Sequence, residues 1–301
     1  MVVLQVGTDW EVHAPAKLNL HLEILAKRTD GFHELETLMV PVSIYDTLQL
    51  TPTSSAEIQL AARWAWGYAP QVMGDLPAAE ANLVVKALRS LQAAAGITQG
   101  AKVALIKRIP SQAGLGGASA DAAAALLAAN AAWGLHWTNA ELSSLAATLG
   151  SDVPFFLYPG AAICRGRGEQ IESLGVMPPL PVVVVRPASG LSTPQVFKAC
   201  SVPAQPIAVE PVVQALRSGA VHQLARCMVN RLQAPAEALS HPIAELRCQF
   251  AQTDCLASQM SGSGSSYFGI FRTERQAQRA AQRFRALGWS WVASGVAGGN
   301  A

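Results

Sequence analysis

Several side chains in this 301-residue sequence have types and spacings that could do chemistry. The longest run is Pro110-Ser111-Gln112-Ala113-Gly114-Leu115-Gly116-Gly117-Ala118-Ser119-Ala120-Asp121, a glycine-rich turn leading straight into an alanine-rich segment. Its glycines let the backbone turn tightly and approach a ligand. The free N–H groups and positive dipole end of a following helix suit a phosphate, and Ser119 adds a hydroxyl for phosphate or Mg²⁺. No Lys-Ser/Thr pair follows the glycines, so the run is neither a P-loop nor the dinucleotide fingerprint; by itself it reads equally well as a structural turn. Asp152 could take a proton from an attacking hydroxyl, or serve as an Asx-turn or cap residue. Lys17 could face that carboxylate and counter charge on a transferring phosphoryl group, or be a solvated charge. In Asp30-Gly31-Phe32-His33, a turn signal, Phe32 beside His33 could stack on and hydrogen-bond a flat heterocycle. Ser261 to Ser265 is a second glycine-serine turn, which a tight hairpin alone would explain.

These residues need elements to position them. Leu18, Leu20, Leu22 and Ile24 alternate with Lys17, Asn19, His21 and Glu23. The period of two predicts a half-buried strand over 17–25 with Lys17 and Asn19 on one face. Further strands are expected at 37–44, 46–51 and 102–108, and a helix at 82–95. The alanine-rich helix is expected over 119–132, with Ser119 and Asp121 as its polar start. Thr138 and Glu141 read as a capping box, Gly150 as that helix's C-terminal glycine, and Asp152 falls just beyond. In the second half, Val182 to Val185 reads as a buried strand. Strands near 255–260 and 267–271 flank the second glycine-serine turn. Thr273 and Gln276 cap a last helix, and a final strand lies near 289–293. Strands interleaved with helices in both halves predict an α+β chain of two domains, 1–173 and 174–301.

Composition excludes other classes. Charged residues make up 14% of the chain and the net charge is +2, too low and too mixed for a nucleic-acid footprint. The N-terminus has no basic region of the secretory type. Residues 122–140 lack Asp, Glu, Lys and Arg, but Asn130, Gly134, His136 and Asn139 dilute them, so a core helix is expected there and not a membrane span. Five cysteines without a CxxC pair predict reduced thiols in a cytoplasmic protein.

The order of these segments resembles the GHMP kinase superfamily. The matching stretches are Ala14-Pro15-Ala16-Lys17-Leu18-Asn19-Leu20, Asp30-Gly31-Phe32-His33-Glu34-Leu35-Glu36-Thr37, Pro110 to Ala124, Leu149-Gly150-Ser151-Asp152-Val153-Pro154-Phe155-Phe156, Gly166-Arg167-Gly168-Glu169 and Ser261-Gly262-Ser263-Gly264. The resemblance implies a ribosomal protein S5 domain 2-like N-terminal domain and a ferredoxin-like C-terminal domain, with the active site in the cleft between them. Within the superfamily it points to ATP-dependent phosphorylation of the 2-hydroxyl of 4-diphosphocytidyl-2-C-methyl-D-erythritol, in the non-mevalonate route to isoprenoid precursors, with Mg²⁺ required. It places Asp152 as catalytic base with Lys17 as its partner, and Asn19 against the substrate. Phe32 and His33 would hold the cytosine, with Phe197, after Thr193 and Pro194, closing its other side. Residues 110–120 would wrap the ATP phosphates, with Asn82 and Lys107 near the adenine. The implied partners are these two small molecules, without nucleic acid or membrane, in a monomer or weak homodimer. Two positions depart from the usual Gly-Leu-Gly-Gly-Gly-Ser-Ser: Ala118, where a positive φ would strain alanine, and Ala120, which lacks a hydroxyl. Altered ATP affinity is expected from both. Another GHMP kinase acting on mevalonate, homoserine or a sugar would share these parts without needing the Phe32, His33 and Phe197 set. A non-catalytic nucleotide-binding homologue would not need Lys17 with Asp152.

Overall fold

A computed structural model describes residues 1–295 of the chain. The strands are β1 (Val3–Val6), β2 (Asp9–Lys27), β3 (His33–Thr53), β4 (Ile58–Trp64), β5 (Gly100–Lys107), β6 (Ala161–Gly166), β7 (Gln170–Gly175), β8 (Pro181–Pro187), β9 (Val229–Asn230), β10 (Ala257–Met260), β11 (Tyr267–Ile270) and β12 (Gly288–Ser294). The helices are α1 (Pro70–Met73), α2 (Leu83–Ala95), α3 (Gly117–Ala132), α4 (Asn139–Leu149), α5 (Thr193–Ala199), α6 (Glu210–Arg217), α7 (Val221–Cys227), α8 (Gln233–Leu239), α9 (His241–Phe250) and α10 (Glu274–Phe284).

Two sheets organise the molecule. The first runs β1-β2-β3-β5-β4, with β6 and β7 continuing from β3 and β9 pairing with β2. The second is ordered β10-β11-β8-β12, the ferredoxin-like arrangement. The change of sheet falls between Gly175 and Pro181, but β9 returns from the second half to lie parallel to β2, His21 opposite Val229 and Leu22 opposite Asn230.

Local sequence explains many of these elements. Thr138 accepts the Glu141 N–H while Glu141 reaches back, the expected capping box of α4. Thr273 caps α10 through Gln276 N, and Asn82 caps α2 through Val84 N. α3 is buried nearly all round, against β2, β3 and α2. That accounts for its alanines: small side chains let the packed elements come close.

Four expectations change. The strands expected at 37–44 and 46–51 are one strand, β3. Gly150 ends α4 with φ 172°, extended backbone rather than a left-handed cap. Ser119 and Asp121 do not begin the alanine-rich helix, which starts at Gly117 with Gly116 as N-cap; Asp121 is buried. Finally, β2 is not half-buried. Lys17, Asn19, His21 and Glu23, the polar face, are as enclosed as the leucines, because the second half covers them. Glu23 shows how. Its carboxylate accepts Arg231 Nε at 2.7 Å and Nη2 at 2.6 Å, and the Ile207 N–H at 3.1 Å. Burial works to raise its pKa, and Arg231 with the Ile207 and Ile24 N–H groups outweighs it, so the net shift is downward.

Glu23→Ala strands the partner guanidinium and the Ile207 N–H. It is expected to cost about 2 kcal/mol in urea denaturation, less than a fully enclosed pair because the Arg231 side chain is 31% exposed. A loss within measurement error would show that water replaces the pair at no cost.

Candidate active site

The glycine-rich turn lies between the two sheets. From one side Lys17 N donates to Leu115 O at 2.9 Å. From the other, Ser266 N donates to Ala113 O at 3.1 Å and Ser261 Oγ to Gly114 O at 2.9 Å. Both sheets press on the turn, so two glycines are obligatory. A Cβ at Gly114 would sit 2.1 Å from Ser261 O, and one at Gly116 would meet Phe156 Cζ at 2.9 Å and Lys17 Cγ at 3.0 Å. Gly116 is left-handed and opens α3, whose first-turn N–H groups then face the turn.

Lys17 is 4% exposed, and its ammonium has two neighbours. Asn19 Oδ1 accepts from Nζ at 2.6 Å, and Asp152 Oδ2 lies at 3.5 Å. The Asp152 side chain is 30% exposed, open to an incoming group. Among the described residues no backbone N–H donates to its carboxylate, so it is not an Asx-turn. Asn19, expected against the substrate, is 1% exposed and donates from Nδ2 to Thr37 Oγ1 at 2.8 Å. Thr37 in turn donates to His21 O at 2.6 Å. Asn19 therefore steers Lys17 instead of meeting solvent.

Lys107 also differs from expectation. Its ammonium is buried beneath Gly117, between the carboxylates of Asp46 and Asp121. Burial acts to lower its pKa, but the two carboxylates raise it. Asp46 also accepts from Arg108 N and Ile109 N, whereas Asp121 Oδ1 has no partner. Asp46 is the better hydrogen-bonded of the two. Burial pushes Asp121 up to about 8, with the nearby Asp46 adding to the shift and Lys107 opposing it.

Asn82, expected near the adenine, is 7% exposed and uses Oδ1 as the α2 cap. In the glycine turn, Ala118 is exposed and helical, without a positive φ, so the expected strain is absent. The non-glycine residue held left-handed in the turn is Gln112, φ 50°. Ala120 is fully buried in the core of the first half, where a serine hydroxyl would bond its own helix carbonyls. Neither position gives the structural reason for altered ATP affinity that the sequence suggested.

On the opposite rim, His33 and Phe197 have ring centroids 5.3 Å apart, tilted by 32°. Phe32 is not part of that contact. It is 54% exposed, with the Arg167 guanidinium over its face. A base between His33 and Phe197 needs about 7 Å, two contact distances of ~3.5 Å, so α5 must shift to admit one. Thr193, at the start of α5, is tied to Ser263 Oγ at 2.7 Å. Burial lowers the His33 pKa and Lys27 adds to the shift, which keeps the imidazole neutral at neutral pH.

Sequence reasoning missed Asn230. Its Nδ2 donates to both Met260 O and Gly262 O at 2.8 Å, and its Oδ1 accepts Leu232 N. Gly262 lies beside the Lys17 ammonium: a Cβ there would be 3.3 Å from Nζ. Asn230 thus fixes the strip of backbone against Lys17. Its sequence neighbours carry no local signal for this.

The N-terminal domain family of GHMP kinases matches residues 82–160, and the GHMP kinase C-terminal family matches residues 212–288. The 4-diphosphocytidyl-2-C-methyl-D-erythritol kinase of Pelotomaculum thermopropionicum is 39% identical over 274 residues, covering 90% of this chain and 92% of that one. The chain belongs to the GHMP kinase family. The 4-diphosphocytidyl-2-C-methyl-D-erythritol kinase of Thermus thermophilus is 38% identical over 290 residues, 96% of this chain and 97% of that one. A crystal structure of 4-(cytidine 5'-diphospho)-2C-methyl-D-erythritol kinase superposes with a TM-score of 0.79 at 36% identity, over 96% of this chain and all of that one. The homoserine kinase of Cytophaga hutchinsonii, at 21% identity and TM-score 0.74 over 99% of this chain and 98% of that one, shares the fold. This GHMP kinase uses ATP and phosphorylates a small molecule.

Two measurements check the geometry of this GHMP kinase. Asn230→Ala is expected to lower kcat about tenfold, ~1.4 kcal/mol in the barrier, with ATP affinity within twofold of the parent. A kcat equal to the parent's would remove Asn230 from the positioning of Lys17. The second concerns Asp121. An acid with a native pKa raised above its unfolded value of about 3.9 lends stability below that pH. The contribution fades as pH rises towards about 8. Asp121→Asn, which mimics the neutral acid, is expected to flatten the fall in urea midpoint between pH 5 and 8.5. Parallel curves for parent and variant would rule Asp121 out as the cause.

Proposed function

We propose that this GHMP kinase transfers the γ-phosphate of ATP to the 2-hydroxyl of 4-diphosphocytidyl-2-C-methyl-D-erythritol. The observation that carries the reading is the pairing of Lys17 and Asp152 at the glycine turn with an aromatic pair, His33 and Phe197, on the same cleft. An acceptor without a nucleobase has no use for the second pair. The relatives at 38–39% identity carry that substrate in their names.

Phosphoryl transfer asks the protein for positioning and charge stabilisation. The turn over residues 110–120 and the first N–H groups of α3 hold the triphosphate. The acceptor oxygen attacks the γ-phosphorus, ADP departs, and Asp152 takes the hydroxyl proton. Lys17, steered by Asn19 and backed by Gly262, balances the charge that develops between carboxylate and phosphoryl group.

Mg²⁺ fits the donors present. Among the described residues no group of three or more His, Cys, Asp or Glu side chains gathers to cage a metal. The site offers oxygen instead: the Asp152 carboxylate and the Ser119 hydroxyl. That set suits an ion that keeps most of its water and is held through nucleotide phosphates with few protein ligands. Ser119 and Asp152 would be those ligands, and the ion would neutralise phosphate charge.

The test is ADP release from Mg·ATP with 4-diphosphocytidyl-2-C-methyl-D-erythritol, mevalonate, homoserine and galactose in parallel. Turnover is expected with the cytidylyl acceptor alone, and Lys17→Ala and Asp152→Asn should each lower it by about 10² or more. Turnover with another acceptor would keep the kinase chemistry and discard the nucleobase pocket. ATP binding without turnover on any acceptor would mark a non-catalytic homologue.

A further inference from the structure

Arg167 sits between the two ends of the acceptor site. Its guanidinium carbon lies 5.3 Å from the centre of the Phe32 ring, beside His33. The next residue backs onto the catalytic loop: a Cβ at Gly168 would be 3.6 Å from Asp152 Oδ1 and 3.5 Å from Ser151 Cβ. The turn that presents the side chain is fixed. Glu169 Oε2 accepts the Arg167 N–H at 2.7 Å, and Gly168 N donates to Arg165 O at 3.0 Å.

The arginines around it are committed elsewhere. Arg28 pairs with Asp30 and Glu34, Arg165 with Glu36 and Glu172, and Arg231 with Glu23. Arg167 donates no side-chain hydrogen bond among the described residues. Its nearest carboxylate contact is Nε to Glu169 Oε1 at 3.8 Å, and 35% of the side chain is exposed. Lys27, the other cation near His33, is exposed at the end of β2, paired with His33 across the ladder. Arg167 is thus a planar fork of N–H donors, braced on an aromatic face, with a loose ion contact to Glu169 and no side-chain hydrogen-bond partner among the described residues. Such a fork matches a bidentate anion.

The covalent order of the proposed acceptor says which anion. The base is at one end, the reacting hydroxyl at the other, and the diphosphate joins them. With the base at His33 and Phe197 and the hydroxyl at Asp152, the diphosphate crosses the wall that Arg167 occupies. Resting on that acceptor reading, we propose that Arg167 recognises the diphosphate. It is a specificity-determining residue, which favours nucleoside diphosphate-linked alcohols over uncharged ones.

Equilibrium binding of cytidine and CDP, with the ATP site filled by a non-hydrolysable ATP analogue, tests this on the parent, Arg167→Leu, Arg167→Lys and Lys27→Ala. The parent is expected to bind CDP about tenfold or more tighter than cytidine. Arg167→Leu should lose that preference while holding cytidine within twofold, Arg167→Lys should keep part of it, and Lys27→Ala should keep it. In turnover, Arg167→Leu should raise KM for the cytidylyl acceptor about tenfold, leaving kcat and the KM for ATP near the parent's. An undiminished CDP preference in Arg167→Leu overturns the role and leaves the acceptor reading standing. A parent that binds neither cytidine nor CDP overturns both.

Discussion

Main-chain hydrogen bonds grip the glycine turn from both sheets, and the rest of the site is arranged around that grip. Lys17 N and Ser266 N hold successive parts of it through carbonyl oxygens that every residue type possesses. Because Lys17 donates its own backbone N–H to the turn, its ammonium is delivered in register with the glycine turn. Asp152, Asn19 and Gly262 then only need to surround a charge whose place is already set. The clearance at Gly114 and Gly116 follows from this: a side chain there would have to displace backbone belonging to the other sheet, or Lys17 itself.

Charge is scarce in this chain, and a small part of it is spent inside. Lys17, Glu23, Asp46, Lys107 and Asp121 are all buried, and each has an opposite charge within contact distance. The Lys107 group carries one more carboxylate than ammonium, which is why a proton is best held there, at the oxygen that lacks a donor. Removing an ionised partner from water is costly, so these clusters lie where they fix something: Glu23 the loop near Ile207, Asp46 the backbone leading into the glycine turn.

What the sequence revealed depended on how far the cause lay along the chain. The capping box at Thr138, the cap at Thr273 and the glycine turn are written within a few residues and were legible from them. The alternation along β2 correctly separated Lys17 and Asn19 from the leucines. It could not show that the polar face is covered as well, because the cover comes from Ile207 and Arg231. At Asn19 and Lys107 a polar residue near a motif suggested ligand contact, and at Ala118 a departure from the motif suggested strain. Asn19 and Lys107 are consumed by neighbours distant in sequence, and Ala118 is an ordinary helical residue. The interleaving of strands and helices in both halves suggested two α+β units, and the family resemblance supplied their type. Asn230 was silent in the sequence because its partners, Met260 and Gly262, lie thirty residues away.

The return of β9 to the first sheet limits how this molecule can move. Val229 and Asn230 are strapped to β2 while the segments on either side belong with the second sheet. A hinge confined to the link between Gly175 and Pro181 would have to tear that strap, along with the Glu23 and Arg231 pair next to it. Swinging the two halves apart would therefore cost those pairings as well as bending the link. α5, a seven-residue helix bearing Phe197, contributes no strand to either sheet and is held by Thr193 and by the buried Val196, so it is a smaller part that can shift without breaking a ladder. The enzyme's breathing is that of a latch on a rigid frame.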